Sequence, residues 1–234
     1  MNPTTRNLAL NGARGRMGTR ITALAREHHD INQIVALNAS GKIDGENEDF
    51  TPIHAVIDFS SPQGVENARQ CARQHHCALL VGTTGLNDTQ INTLKDDAQH
   101  IPVMIAPNTS LGVAVLKTLV KQAATLLGSD FQIDLVDIHH THKKDAPSGT
   151  AKALAEAINQ QRENALPPDR IHALRTGGIV GNHAVRFTSP FEEIVLEHNA
   201  LTRDVFAAGA LRAALWLANQ QPGLYTIDDA WNQH

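Results

Sequence analysis

The sequence predicts an α/β protein: a doubly wound parallel sheet in the first half, then a smaller α+β region. Three observations predict it. Short, nearly continuous apolar runs alternate with helical patterns from residue 1 to about 110. A glycine-rich turn separates the first apolar run from the first helical pattern. Beyond residue 110 the apolar runs follow one another with few helices between them. Strands that are apolar throughout belong to a parallel sheet covered on both faces. Helices that connect such strands make right-handed crossovers.

The elements follow in order. "NLALNG" is a strand ending in glycine, and "MGTRITALAREHH" is a helix with Met17, Ile21, Leu24 and Ala25 on one face. "INQIVALN" and "HAVIDFS" are the next strands, and Pro62 opens a helix through "PQGVENARQCARQHH". "CALLVGTTG" is a strand with a glycine turn, "NDTQINTLKDDAQ" a polar-faced helix, and "IPVMIAPN" a further strand. The pattern then changes near Asn108. A helix runs through "LGVAVLKTLVKQAATLLG", a strand through "FQIDLVDIHH", and a helix through "SGTAKALAEAINQQ". The strands "IHALRTGG", "HAVRFTS" and "EEIVLEHNA" pair in a largely antiparallel way. An amphipathic helix in "DVFAAGALRAALWLANQQPG" is ended by Pro222 and Gly223.

Composition bounds the function. The chain has 234 residues, 41% of them hydrophobic, and a formal net charge of -4. That balance argues against non-specific nucleic-acid binding, which needs a basic face. No apolar run approaches the roughly 20 residues of a membrane helix. The N-terminal residues have no signal-peptide core, and Cys71 and Cys77 make no disulfide framework. The expectation is a cytoplasmic protein without a membrane partner.

Chemistry enters at "NGARGRMG". Gly12, Gly15 and Gly18 follow a strand and open a helix. Glycines there allow a tight turn and bring backbone N–H groups to a pyrophosphate at the helix start. The next strand ends at Asn38, where a carboxylate would usually hold the ribose hydroxyls. Asparagine does not repel a 2′-phosphate, and Lys42 is close in sequence, so NADH and NADPH both stay open with a lean to NADPH. Asn38 in a turn-supporting role is the plainer reading. Thr83, Thr84 and Asn108 sit at the ends of later strands, where ligands of open α/β sheets bind and where local turn capping also uses them.

The stretch "HHTHKKDAPSGTAKAL", residues 139 to 154, is the least ordinary in the chain. His139, His140 and His142 belong to a solvated loop, a metal site, or a site that donates protons. No familiar zinc framework accompanies them, and Cys71, His75, His76 and Cys77 read as a helix end running into a buried strand, so no metal is expected. In the third reading, Ser148 or Thr150 caps the helix that starts near Gly149, whose N–H groups favour a carboxylate. Lys143 and Lys144 add positive charge, and a histidine can act as general acid. Together these describe a reductase of a small acidic substrate.

The run "HHTHKKDAPSGTA" resembles the signature of the 4-hydroxy-tetrahydrodipicolinate reductase (dihydrodipicolinate reductase) family of lysine and diaminopimelate biosynthesis. "GARGRMG", "VIDFSSPQG", "VGTTG", "APNTSLGV", "GGIVGNH" and "FAAGALRAALWL" fall in that family's order over nearly the whole chain. The resemblance implies a Rossmann-type dinucleotide-binding domain over residues 1–110 and 209–234. It implies a substrate-binding and oligomerisation domain with a mixed sheet over 111–208 and a homotetramer, and the two-domain layout suggests a hinge that closes over substrate.

It also implies residue roles. His139 is the expected proton donor and Lys143 its catalytic partner. His140, Lys143, Ser148, Gly149 and Thr150 would hold a small cyclic dicarboxylate. Gly12, Ala13, Arg14, Gly15, Arg16, Met17, Asn38, Gly82, Thr83, Thr84, Ala106, Pro107, Asn108 and Thr109 would line the site for NADH or NADPH. Three features depart from the family. Asn38 and Ala39 replace an acidic and a basic residue, the 40–55 region is short, and Thr109 stands where an aromatic is common. An aspartate-type dehydrogenase on the same fold would share the glycine loop but not "DAPSGTA". A non-catalytic nucleotide-binding module would bind NAD(P)H without dicarboxylate-dependent oxidation.

Overall fold

The computed structural model describes residues 5–38, 40–43 and 52–231. Residues 1–4, Ala39, residues 44–51 of the shortened 40–55 region and residues 232–234 lie outside the described residues. The chain forms two compact units: Met1–Ser110 with Asp204–His234, and Leu111–Arg203.

The first unit opens with β1 (Arg6–Asn11), α1 (Arg16–Arg26), β2 (Ile31–Ala36), β3 (Ala55–Asp58), α2 (Val65–Gln74), β4 (Ala78–Val81), α3 (Asp88–Asp97) and β5 (Pro102–Ile105). The second unit follows with α4 (Leu111–Leu127), β6 (Gln132–His139), α5 (Gly149–Asn159), β7 (Ile171–Arg175), β8 (Gly181–Thr188) and β9 (Glu193–Ala200). The chain then returns to the first unit with α6 (Asp204–Leu217), β10 (Gly223–Tyr225) and α7 (Ile227–Trp231).

In the first unit, six strands run in the order β10-β5-β4-β3-β1-β2, and every neighbouring pair is parallel. Every residue of β3 and β4 is buried, which is why these strands are apolar almost throughout. α6 packs on β3, β4, β5 and α1, and its first residue, Asp204, holds Arg20 of α1 through two contacts of 2.5 and 2.7 Å.

Three features differ from the sequence reading. α2 starts at Val65 instead of Pro62, because residues 61–64 first close a turn in which Gly64 N–H donates to Ser61 C=O at 2.8 Å. Gly223 does not end a helix but begins β10, which pairs with β5 in parallel register. The returning segment starts at Asp204, the first residue of α6, five positions ahead of 209. α3 carries a reciprocal cap: Asn87 Oδ1 accepts from Gln90 N–H at 2.9 Å, and Gln90 Oε1 accepts from Asn87 N–H at 3.0 Å.

The second unit has a mixed sheet in the order β7-β6-β8-β9. β6 pairs with β7 in parallel, whereas β6–β8 and β8–β9 are antiparallel. Burial along β6 alternates strictly after its first residue, with Ile133, Leu135, Asp137 and His139 inward. One core gathers Leu116 and Val120 of α4, Leu154 and Ile158 of α5, Leu135 of β6 and Phe187 of β8. Phe187 is fully buried, and truncation to alanine costs about 3–5 kcal/mol at such a position.

The stretch Leu111–Asp130 is long and apolar enough to cross a membrane by length and composition alone. This corrects the expectation from apolar runs, since Lys117 and Lys121 break the run without removing the helix's apolar character. Its Leu116, Val120 and Ala124 enter the second core.

Candidate active site

In the first unit, the glycine turn follows β1 and leads into α1. Gly12 has φ 84°, and a side chain there would meet the Phe59 carbonyl oxygen at 2.3 Å. A side chain at Gly18 would meet the Gly12 carbonyl oxygen at 2.2 Å. Both glycines are therefore required for the close strand-to-helix turn. Gly15 is the N-cap of α1 and offers no side-chain cap, and the first turn holds no acidic residue. Ala13 and Met17 are half-buried there, whereas Arg14, Gly15 and Arg16 are exposed. An uncapped helix start of this kind suits an anionic phosphate.

The other residues expected at the nucleotide sit in varied settings. Thr84 and Pro107 are exposed, Asn108 is half-buried, and Gly82, Thr83 and Ala106 are buried at the ends of β4 and β5. Thr83 donates its hydroxyl to Asp58 and accepts from Ser60 N–H at 3.0 Å. Thr109 is buried and donates to the Phe206 carbonyl at 2.7 Å. It meets α6 so closely that a side chain at Gly209 would lie 1.8 Å from its carbonyl oxygen. Asn38 Oδ1 accepts from Ser40 N–H, Ser40 Oγ and Lys42 N–H at 3.0, 2.7 and 3.1 Å, so its oxygen organises the turn that follows β2.

Beneath these loops lies Asp58, with no solvent exposure. Asn11 Nδ2 donates to it at 2.7 Å and Ser60 Oγ at 2.6 Å, and Thr83 completes the set. Burial pushes this carboxyl up, against the pull of its neutral donors Ser60, Thr83 and Asn11.

In the second unit, β6 ends at His139, which is 7% exposed. The loop beyond it carries exposed His142 and half-buried His140 and Lys143. Lys143 Nζ lies 2.9 Å from Asp145 Oδ1. Ser148 is the N-cap of α5, and its Oγ accepts from Ala151 N–H at 3.1 Å. Gly149 is exposed and Thr150 half-buried at the helix start. The imidazole, the lysine and the helix N-terminus thus lie within one strand-loop-helix segment.

Sequence reasoning missed the group beneath this segment. Asp137 is fully buried. Its Oδ2 accepts from Ser148 N–H at 2.7 Å and from Arg175 at 3.1 Å. Its Oδ1 lies 2.7 Å from His139 Nδ1 and 3.4 Å from His183 Nε2. His183 Nε2 is 3.1 Å from Ser148 Oγ. Burial raises the Asp137 carboxyl, but His139, His183, the Ser148 amide and Arg175 together hold it well below the usual carboxylate range. The ligand atoms of Asp137, His139 and His183 all lie within 4.8 Å of one another, and Arg175 already supplies positive charge to that carboxylate. The signal was in the sequence: "IDLVD" places a charged residue two positions beyond Leu135, on the inward face of its strand.

Both halves of the chain match family models. Residues 6–109 match the N-terminal domain of dihydrodipicolinate reductase, and residues 112–230 match its C-terminal domain. The chain belongs to the dihydrodipicolinate reductase family. It is 40% identical over 243 residues to the 4-hydroxy-tetrahydrodipicolinate reductase of Zymomonas mobilis, covering 95% of each chain. It is 42% identical over 241 residues to that of Stenotrophomonas maltophilia K279a, covering 98% of this chain and 99% of the relative. The fold is similar to dipicolinate-bound dihydrodipicolinate reductase from Paenisporosarcina sp. TG-14, with a TM-score of 0.75 at 20% identity, covering 95% and 97% of the two chains. Members of the dihydrodipicolinate reductase family are NADH- or NADPH-dependent oxidoreductases of lysine and diaminopimelate biosynthesis, and their N-terminal domain binds the nucleotide.

Proposed function

We propose that this chain reduces 4-hydroxy-tetrahydrodipicolinate to tetrahydrodipicolinate with NADH or NADPH. The observation that carries the reading is the segment from His139 to Thr150, where a buried imidazole, a lysine and a capped helix start lie together. Loss of the C4 hydroxyl together with a proton from the neighbouring ring carbon, as water, leaves a conjugated imine, and the chemistry that a bound nicotinamide would supply is a hydride for its C4. His139 gives a proton as negative charge builds toward the ring nitrogen. Lys143 exchanges Asp145 for a substrate carboxylate, and the N–H groups of Gly149 and Thr150 hold that carboxylate with it. His140 and Ser148 complete the substrate contacts.

In the first unit, Gly12 to Met17 would hold the pyrophosphate, and their uncapped helix start and missing side chains fit it. Asn38 would meet the ribose through its amide nitrogen. Gly82 to Thr84 and Ala106 to Thr109 would line the nicotinamide end, with Thr83 and Thr109 acting through backbone position, given their buried hydroxyl contacts. Residues 1–110 with the returning segment form the nucleotide domain, and 111 to about 203 form the substrate and oligomerisation domain.

A cytoplasmic homotetramer without nucleic-acid or membrane partners completes the proposal. The outward face of the second sheet supports the assembly, since Leu174 of β7 and Val195 of β9 are 51% and 38% exposed. Dipicolinate, which the Paenisporosarcina enzyme binds, is the natural probe of the substrate site. The deciding experiment follows NADH and NADPH oxidation with freshly made 4-hydroxy-tetrahydrodipicolinate. Cofactor binding without substrate-dependent oxidation would leave only a nucleotide-binding module.

A further inference from the structure

We propose that Asp137 is a positioning residue of this reduction: its one carboxylate orients the His139 ring and fixes the start of α5. The inference rests on the reading of His139 as proton donor and of the α5 start as carboxylate site.

The strand pleat places the groups. Asp137 and His139 are two apart on β6 and share its inward face. Antiparallel register sets Asp137 opposite His183 on β8, and parallel register sets His139 opposite Arg175 on β7. The rest of that face is apolar, with Ile133 and Leu135 fully inward. A carboxylate with no solvent exposure is expensive in such a place unless charged and hydrogen-bonding partners offset the burial, as Arg175 and the Ser148 amide do here. What the carboxylate supplies is contact with two working parts.

Oδ1 lies 2.7 Å from His139 Nδ1, a close approach that is off the line of a hydrogen bond. With Nδ1 facing that carboxylate, Nε2 is the ring nitrogen left to hand on a proton. Gly181 keeps that side of the ring open, since a side chain at Gly181 would start 3.1 Å from His139 Nε2. The ring of His183 braces it edge-on at 5.1 Å between centroids. The other oxygen, Oδ2, accepts the Ser148 N–H at 2.7 Å, and Ser148 caps α5. The first turn of α5, with Gly149 and Thr150, is therefore held to the same carboxylate as the acid. Arg175, at 3.1 Å from Oδ2, keeps Asp137 ionised so that both contacts persist.

Removing the carboxylate has two separable effects. The ring loses its orientation, which lowers kcat. The helix start loses its anchor, which raises KM. The test uses the full chain as Asp137→Asn, His139→Gln and the double variant, with kcat and KM for 4-hydroxy-tetrahydrodipicolinate and with ¹⁵N ring shifts of His139 read without substrate. Asp137→Asn is expected to lower kcat by about 10-fold or more, to raise KM, and to move the His139 shifts away from an Nδ1-protonated signature. In the His139→Gln background the same change should leave kcat where it is and still raise KM.

Independent kcat losses that multiply in the double variant would overturn the proposal, as would unchanged ring shifts in Asp137→Asn. Should Asp137→Asn not fold, Gly181→Ala crowds the ring without touching the carboxylate. It is expected to lower kcat at unchanged KM, and wild-type kcat would overturn the orientation role. A wild-type protein inactive on this substrate would sink the function itself, and the ring shifts would still decide the Asp137–His139 contact.

Discussion

Asp58 and Asp137 are both fully buried, one in each unit, and the two are pushed in opposite directions. The donors around Asp58 are neutral: an amide and two hydroxyls. Those around Asp137 include a guanidinium and two imidazoles. Burial is common to both, so the contacts decide the sign: the neutral donors at Asp58 do not offset it, whereas at Asp137 the two imidazoles, the Ser148 amide and the Arg175 guanidinium together do. The first carboxylate ties the ends of β1, β3 and β4 beneath the nucleotide loops. The second stands directly behind the proposed acid. In the proposed reading, the first unit thus holds its ligand with backbone and neutral hydrogen bonds, and the second with charge.

The comparison is sharpened most by His139→Gln. We expect kcat to fall by about 10²-fold or more, the usual range for a lost general acid, while cofactor affinity measured by calorimetry stays at the wild-type value. Unchanged turnover would remove charge-based chemistry from the second unit.

Next in size is the binding of dipicolinate. Lys143→Ala should weaken it by about 1.5–3 kcal/mol, the cost of a charge-assisted hydrogen bond. Thr150→Val should weaken it less, because the helix N–H groups remain. Titration calorimetry on the two variants reads both numbers, and equal binding by both and by wild type would return residues 139–144 to a solvated turn.

The nucleotide side should discriminate weakly. With no carboxylate at Asn38, the ratio of kcat/KM for NADH and NADPH is expected to stay under about 10-fold, or ~1.4 kcal/mol. Asn38→Asp should shift the preference toward NADH through repulsion of the 2′-phosphate. Strict NADH dependence in the wild type would contradict a neutral nucleotide site.

The smallest effect tests the aspartates directly. An aspartate in an unfolded chain titrates at about 3.9. Asp137 is held lower in the folded chain, so its stabilisation is full above that value and is lost as pH falls through its folded pKa. Asp58 is raised, so its contribution is full below about 3.9 and is lost as pH rises through its folded pKa. Between about pH 3 and pH 6, the melting-temperature deficit of Asp137→Asn should therefore grow, and that of Asp58→Asn should shrink. Thermal melts of both variants against wild type give the two slopes, and slopes of one sign would break the comparison.

The strands were legible because a strand buried on both faces must be apolar throughout, as β3 and β4 are but for Asp58. β10 was not, since three residues, Gly223 to Tyr225, carry no periodicity and follow a proline that suggests only a helix end. The α2 start was misplaced because proline fits a turn as well as a first helical position. In the site, the glycine loop and the 139–150 segment were visible as continuous runs. The grouping of Asp137 with Arg175 and His183 was not, because register across three strands brings them together, and no single stretch of sequence contains that register.

The discontinuity of the first unit bears on how the protein emerges from the ribosome. β5 is synthesised before the whole of the second unit, and its neighbour β10 only after it. Until then one side of β5 is an unpaired edge, and β3, β4 and β5 lack the covering helix α6. The second unit is continuous and can finish folding first. The nascent nucleotide unit must meanwhile wait with an open edge and a bare apolar face, the state most exposed to aggregation. Chaperone demand should therefore peak late in translation, after the second unit has folded.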